Sequence, residues 1–138
     1  MPIVVDANLV VVLASRDPRA GTVERHLGSW LEAGETLYAP ALLPYEVASG
    51  LTRLSAGGRL SAEELDTAWR LAERIPIQLE PLSSGLEVIR IALRLQRSSA
   101  YDAAYIGLAE QLGANLWTLD GPLARNATGI GYRVRLVE

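Results

Sequence analysis

The sequence predicts an α/β protein of three layers (α/β/α), in which helices cover both faces of a central, mostly parallel sheet of four to five strands. The first observation is the run Ile3–Val5, which does not alternate with polar residues and is typical of a strand buried on both faces. The second is a similar short apolar segment at residues 115–119. The third is the alternation of strand candidates with helical segments along the chain, as the crossovers of a parallel sheet require.

The strand predictions rest on short runs of β-branched or apolar residues. Ile3, Val4 and Val5 are consecutive β-branched residues, which are stiff and favour extended backbone. Tyr132–Val137 alternates over most of its length and therefore predicts an edge strand. Strands are predicted at residues 3–5, 36–39, 75–79, 115–119 and 132–137.

The helix predictions rest on apolar side chains spaced about 3.6 residues apart and on end signals. Ser61 and Glu64 have the spacing of a capping box, and Ser84 is a candidate cap for a later helix. Gly34 and Gly113 are predicted to end helices, and residues 98–102 to form a break and restart. Helices are predicted at residues 7–14, 21–33, 42–54, 62–72, 86–96 and 101–112, with a turn or short helix from residue 121.

The bulk composition is that of an ordinary globular domain. The chain has 138 residues, 49% hydrophobic and 21% charged, and residues 1–138 are predicted to form one domain. We find no apolar run near the roughly 20 residues of a membrane span and no basic segment followed by an apolar one at the N-terminus. Cysteine is absent. We therefore expect a cytoplasmic protein with no membrane partner.

Several kinds of chemistry are excluded by what the sequence lacks. All 13 cationic side chains are arginines, so lysine Schiff bases and phosphate-loop lysines are impossible. The single histidine, His26, rules out multi-histidine zinc sites, and its offset from the apolar helix face predicts an exposed, silent side chain. The net charge of −3 indicates that any contact with nucleic acid is local.

Four acids stand where a parallel sheet would bring them together. Asp6 and Asp120 follow two predicted strands, and the carboxyl ends of parallel strands share one edge. Glu46 and Asp102 lie near the starts of helices that leave this edge, and both have apolar neighbours. For any one residue the plainer interpretation stays open: Asp6 and Asp102 would be helix caps, and Glu46 and Asp120 solvated acids.

A cluster of four carboxylates needs a proton or a cation to persist. Each pair about 4 Å apart costs roughly 4 kcal/mol at an effective dielectric of about 20. An all-oxygen site suits Mg²⁺ or Mn²⁺ better than zinc. Such ions support the hydrolysis of phosphodiesters by activating water and neutralising charge. The four acids therefore predict metal-dependent hydrolysis.

These same residues carry a resemblance to a known family. Val4–Asn8, Glu46 after the second strand, residues 99–105 (Ser-Ala-Tyr-Asp-Ala-Ala-Tyr) and residues 118–120 (Thr-Leu-Asp) resemble the motifs of PIN-domain ribonucleases. The sequence is most similar to the VapC-type toxins of toxin–antitoxin pairs, and the resemblance covers nearly the whole chain. It implies a PIN-like fold and a metal-dependent endoribonuclease.

The resemblance also implies roles for individual residues. Asp6, Glu46, Asp102 and Asp120 match the family's catalytic quartet, which binds one or two Mg²⁺ or Mn²⁺ ions. Asn8 and Thr118 match supporting positions near its centre, where a polar side chain can orient an aspartate or a water. Arg97 and Arg125 are the candidates for binding RNA at the rim, because arginine matches phosphate geometry. Tyr101 would stack on a base or pack in the core.

Family members form homodimers and are neutralised by a small antitoxin protein, so we expect both partners here. The usual place for a partner is the helical region of residues 45–69. Its apolar residues exceed what two peripheral helices need, although an internal interface would explain them equally well. These residues are Leu51, Leu54, Leu65 and Trp69.

Three other functions compete with a toxin ribonuclease. The same fold would serve a housekeeping RNA-processing nuclease, and the sequence alone does not separate the two. A non-catalytic PIN-fold binding module would have no reason to keep four repelling acids. A phosphoacceptor signalling domain also groups aspartates at strand ends, but it uses a lysine that this chain does not contain.

Overall fold

A five-stranded parallel sheet forms the centre of the structure, a computed structural model that describes residues 1–97 and 99–138. Its strands lie in the order β3-β2-β1-β4-β5, and every neighbouring pair is parallel. The predicted three-layer α/β/α class with a parallel sheet is thus confirmed. The strands are β1 (Ile3–Val5), β2 (Leu37–Pro40), β3 (Ile77–Glu80), β4 (Asn115–Thr118) and β5 (Val134–Leu136).

Seven helices connect these strands within the same described residues. Helices α5 and α6 pack together, and α6 contacts β1, β2 and β4. Helix α1 packs against α2, α3 and α4. The helices are α1 (Ala7–Ala14), α2 (Ala20–Glu32), α3 (Leu43–Ala56), α4 (Ala62–Arg74), α5 (Gly85–Arg94), α6 (Tyr101–Leu112) and α7 (Gly121–Gly129).

The predicted end signals are found at four helices, and one of them is Gly34, which follows α2 with a φ of 77°. The capping box is complete, because the Ser61 hydroxyl accepts from the Glu64 N–H and the Glu64 carboxylate accepts from the Ser61 N–H. Ser84 caps α5 by accepting from the Glu87 N–H. Gly113 ends α6 with a φ of 65°, a left-handed conformation that glycine adopts at low cost. The predicted break before α6 includes Ser98, which lies outside the described residues.

Two strand boundaries next to prolines differ from their predicted positions. β3 begins at Ile77 and not at residue 75, because Pro76 has no N–H to donate to a neighbouring strand. β2 extends to Pro40, one residue further than predicted. β1 pairs with β2 only through Leu37 and Tyr38, so the missing N–H of Pro40 costs no hydrogen bond between these two strands.

The prediction of an exposed His26 is wrong. The imidazole is half-buried, and its centroid lies 5.5 Å from that of Trp30 and 5.3 Å from that of Trp117. Its Nε2 lies 3.4 Å from the main-chain oxygen of Glu138. The helix pattern assigned His26 to the solvent side of α2, but it contained no information about the Trp117 side chain that β4 presents to α2.

The apolar residues of α3 and α4 are used inside the molecule. Leu51 is buried, and Leu54, Leu65 and Trp69 are partly buried against the core. The internal-interface explanation therefore accounts for these four residues. Among the described helices, none is both long and apolar enough to cross a membrane.

Close packing of α1 on α3 depends on a glycine. A Cβ added at Gly50 would lie 2.8 Å from Cγ2 of Val11, well inside ordinary contact distance. Valine has one strongly preferred rotamer in a helix, so Val11 cannot easily turn away. This contact sets the separation of α3, which carries Glu46, from α1, which follows Asp6.

We expect Gly50→Ala to lower the free energy of unfolding by about 1 to 3 kcal/mol, because the added methyl group overpacks the α1–α3 contact. Urea denaturation measures this difference. Gly28→Ala is the matched control, because nothing lies within 4 Å of a Cβ at this position in α2. That control should raise stability by about 0.5 to 1 kcal/mol. Equal effects of the two substitutions would contradict the packing argument.

Candidate active site

The structure places the four acids at the carboxyl edge of the sheet, on the elements that the sequence predicted. Asp6 directly follows β1, and Asp120 lies two residues after the end of β4, the neighbouring strand. Glu46 lies in the first turn of α3 and Asp102 in the first turn of α6. Asp6 is buried, while the other three are half-buried.

The plainer interpretation took Asp6 and Asp102 to be helix caps, but the structure shows a different arrangement. Asp6 precedes α1, but its side chain makes no capping hydrogen bond. Asp102 stands inside α6, whose cap position is Ala100. Asp120 does cap α7, because its Oδ1 accepts from the Leu123 N–H at 3.1 Å. Capping therefore accounts for one oxygen of Asp120 and leaves the burial of Asp6 unexplained.

A small polar network fixes the Asp6 carboxylate. The Thr118 hydroxyl, which is fully buried, donates to Oδ2 of Asp6 at 2.8 Å. The Asn8 amide donates to the Thr118 oxygen at 3.0 Å and lies 3.3 Å from the same Asp6 oxygen. Asn8 Oδ1 accepts from the Leu119 N–H at 3.1 Å, and Thr118 Oγ1 from the Asp120 N–H at 3.0 Å. Asn8 and Thr118 thus lie beside Asp6, where the sequence predicted them.

Glu46 is held by a residue to which the sequence argument gave no role. The Tyr105 hydroxyl donates to Oε1 of Glu46 at 2.6 Å, and the Tyr105 side chain is 1% exposed. Burial, followed by the hydrogen bond to Glu46, raises the pKa of Tyr105, so the phenol stays a donor. The sequence did contain a signal for a role of Tyr105 at this site. Tyr105 lies three residues after Asp102 and therefore on the same side of α6.

The two candidate arginines lie near the acids in different ways. Nη1 of Arg97 is 3.8 Å from Oδ2 of Asp102, a loose ion pair at the partly exposed start of α6. Arg125 is exposed on α7, and its Nη1 lies 3.0 Å from where a Cβ would stand on Gly121. This guanidinium therefore lies over the residue that follows Asp120.

The charges of neighbouring acids affect the pKa values of Asp6 and Asp102. Burial is the largest effect on Asp6 and, despite the opposing hydrogen bond from Thr118, raises its pKa to about 7, with further increases from the charges of Asp102 and Glu46. Burial also raises the pKa of Asp102, with Arg97 opposing the shift and Asp120 adding to it. Asp6 therefore lies close enough to Glu46 and Asp102 to be repelled by both, and Asp102 lies close enough to Asp120.

The chemistry of these side chains fits a hard divalent cation, although they do not form a closed cage. No three acidic or histidine side chains within residues 1–97 and 99–138 are grouped tightly enough to hold an ion by themselves. Mg²⁺ usually keeps several waters and takes one or two carboxylates directly, so a looser acidic cleft suits it. The burial of the Asp6 carboxylate beside Glu46 and Asp102 favours a cation here, because a nearby positive charge would stabilise the ionised form.

Comparison with known proteins identifies the family. A family model described as the PIN domain matches residues 3–128. The chain belongs to the PIN-domain family. Ribonuclease VapC3 of Pyrobaculum aerophilum is 32% identical over 131 residues, which cover 90% of this chain and 93% of that protein. Ribonuclease VapC9 of Mycobacterium tuberculosis is 36% identical over 118 residues, covering 86% and 85%.

A solved structure supports the same assignment at the level of the fold. The crystal structure of VapBC2 from Rickettsia felis, bound to a DNA fragment from their promoter, superposes on this PIN domain with a TM-score of 0.72. The match covers 100% of both chains at 12% sequence identity. The resemblance to VapC-type PIN domains that the motifs indicated is confirmed.

We expect the metal-free PIN domain to lose stability as the pH rises from about 4 to about 7. The unfolded chain releases the Asp6 proton near its ordinary pKa of 3.8, whereas the folded protein retains it up to about 7. The folded state therefore binds more protons in this window, and the free energy of unfolding falls, on the order of a few kcal/mol.

Asp6→Asn should remove this contribution and stabilise the metal-free protein above pH 7. Denaturation in a chelator at about pH 5 and about pH 8 measures both effects. The control is Asp66→Asn, since Asp66 is exposed on α4 and pairs with Arg70. An unchanged pH dependence in Asp6→Asn would contradict the assigned burial cost.

Proposed function

We propose that this protein is a Mg²⁺- or Mn²⁺-dependent endoribonuclease and the toxin of a toxin–antitoxin pair. The observation that carries the proposal is the buried Asp6 carboxylate, set among Glu46, Asp102 and Asp120 at one edge of the sheet. The proteins named ribonuclease VapC that it matches over most of its length support the same reaction. In this proposal residues 1–138 form a single nuclease domain.

Asp6, the most buried of the four acids, and one neighbouring acid would hold the metal directly, and the other acids would reach it through its bound waters. When bound, the ion would supply an activated water and neutralise charge on the phosphate. Thr118 and Asn8 hold Asp6 in one orientation, and Tyr105 does the same for Glu46. Fixed ligands of this kind lower the reorganisation required during the reaction.

The cations at the rim would bring RNA to this acidic cleft. Arg97 stands beside Asp102, and Arg125 lies over Gly121 next to Asp120. A guanidinium binds a phosphate through two parallel hydrogen bonds, so either arginine suits the group that flanks the cleaved bond. The pairing of Arg97 with Asp102 is loose, at 3.8 Å, and leaves this cation available for RNA.

We further propose three properties that accompany a toxin of this type. The protein acts in the cytoplasm, where its RNA substrate is. It forms a homodimer, as the resemblance to VapC-type toxins implies. A small antitoxin protein neutralises it, and the solved VapBC2 structure with the same fold supports such a partner.

Asp6→Asn and Asp102→Asn should each abolish RNA cleavage while the fold survives. The physical reason is that each substitution removes a negative oxygen ligand from the proposed ion and replaces it with a neutral amide. The measurement is cleavage of total cellular RNA by purified variants with Mg²⁺ or Mn²⁺, and with a chelator, followed by mapping of the new ends. Circular dichroism checks the fold.

Glu63→Gln is the matched control for these substitutions, because Glu63 is an exposed acid in the first turn of α4. It should cleave like the unaltered protein. Cleavage that persists in both aspartate variants, or that survives the chelator, would refute the metal-dependent reaction.

Tyr105→Phe should weaken Mn²⁺ binding and cleavage by about 10- to 100-fold, the usual effect of removing a group that orients a metal ligand. The ring still fills its buried space, but Glu46 loses the 2.6 Å hydrogen bond to Oε1. Calorimetry measures the Mn²⁺ affinity. Tyr132→Phe removes a hydroxyl bonded to Arg94 instead of an acid and should change neither quantity. Reduced stability with unchanged Mn²⁺ affinity would limit Tyr105 to a structural role.

A further inference from the structure

Two exposed tyrosines flank the acidic cleft. The side chains of Tyr45 and Tyr101 are 80% and 64% exposed, so each presents most of a large aromatic ring to solvent. Tyr45 directly precedes Glu46 on α3, and Tyr101 directly precedes Asp102 on α6. Both tyrosines and Glu46 line one open cavity of about 430 Å³. This surface has aromatic faces on two sides of a candidate metal ligand.

Arg53 connects this cavity to a second one. It lies seven residues after Glu46, which is about two turns and roughly 10 Å further along the same face of α3. Arg53 lines both the tyrosine cavity and a neighbouring cavity of about 500 Å³ that Arg19 and Arg59 also line. The two cavities therefore meet at a guanidinium.

The charges of the second cavity favour an anionic ligand. Its acid, Asp17, is held by Arg19 through contacts of 3.0 Å from Nε and 3.2 Å from Nη2. Within residues 1–97 and 99–138, neither Arg53 nor Arg59 forms a salt bridge. Both side chains are exposed and available for a phosphate.

We propose that the two cavities form a track for single-stranded RNA, in which bases stack on Tyr45 and Tyr101 and the backbone continues past Arg53 towards Arg59. This inference rests on the proposed ribonuclease activity and specifies the residues outside the acidic edge that bind the substrate. Aromatic faces next to cations are the usual elements of single-strand binding, since every base offers a face for stacking. A duplex would keep its bases stacked on each other and could not use the tyrosines.

The affinity of the track is measured with a labelled single-stranded RNA about 12 nucleotides long. Fluorescence anisotropy with Mg²⁺ uses Asp6→Asn as the background, so that the RNA is not cut. Tyr45→Ala and Tyr101→Ala should each weaken binding by about tenfold. Tyr45→Phe and Tyr101→Phe should keep the affinity, because phenylalanine preserves the stacking face.

Two further measurements separate stacking from charge. RNA with abasic sites should bind the alanine and phenylalanine variants equally, because it has no base to stack. Arg53→Ala should weaken both RNAs and reduce the slope of log affinity against log salt by about 0.7, the contribution of one phosphate contact on a single strand. Arg25→Ala, which removes an exposed arginine of α2, is the control and should leave the slope unchanged.

In the otherwise unaltered protein, Tyr45→Ala should raise the KM for cleavage with little change in kcat, because the tyrosine binds RNA away from the reacting atoms. Unchanged RNA affinity in the alanine variants would overturn the track and assign the tyrosines to another partner, such as a protein segment. If the unaltered protein cleaves RNA but these variants match it in KM, only this inference falls. If the unaltered protein neither cleaves nor binds RNA, the proposed function falls with it.

Discussion

The burial of one carboxylate is the constraint on which the rest of this structure depends. Asp6 stands at the end of the central strand β1, at the start of α1 and beside β4, in a position that water scarcely reaches. A buried carboxylate is costly unless its oxygens are bonded, and Thr118 and Asn8 provide those bonds. The pairing of β1 with β4 brings Thr118 to this point, so the sheet order and the polar network are aspects of one arrangement.

The other acids are held in place by contacts between helices. Glu46 depends on α3, which lies close to α1 because Gly50 has no side chain, and on the Tyr105 hydroxyl from α6. Asp102 is carried by the same helix as Tyr105, so a single element supplies one acid and orients another. The repulsion among these groups is a local cost that the surrounding core must offset. It also makes the edge a favourable place for a cation.

Arginines border the acidic edge of the sheet, although the molecule as a whole is weakly acidic. Arg97 and Arg125 lie beside the acids, and Arg53 continues the positive surface along α3. An overall charge of −3 argues against a general affinity for nucleic acid. Local cations and exposed aromatic faces allow a short contact with a strand without a basic surface over the whole domain.

The sequence by itself determined the class of fold, most element boundaries and the edge of the sheet at which the four acids lie. These features follow from local patterns, because β-branched runs, 3.6-residue periodicity and caps such as Ser61 act over a few residues. The shared edge of a parallel sheet then allowed Asp6 and Asp120 to be placed together without coordinates. Only the tertiary structure decided that His26 packs against Trp117, that Tyr105 holds Glu46 and that Asp120 is the acid that caps a helix. The first two of these contacts join residues far apart in the chain, and the third depends on the rotamer that Asp120 adopts. Local patterns do not encode the two long-range contacts, and although Asp is a favoured cap residue, its presence does not fix which acid adopts the capping rotamer.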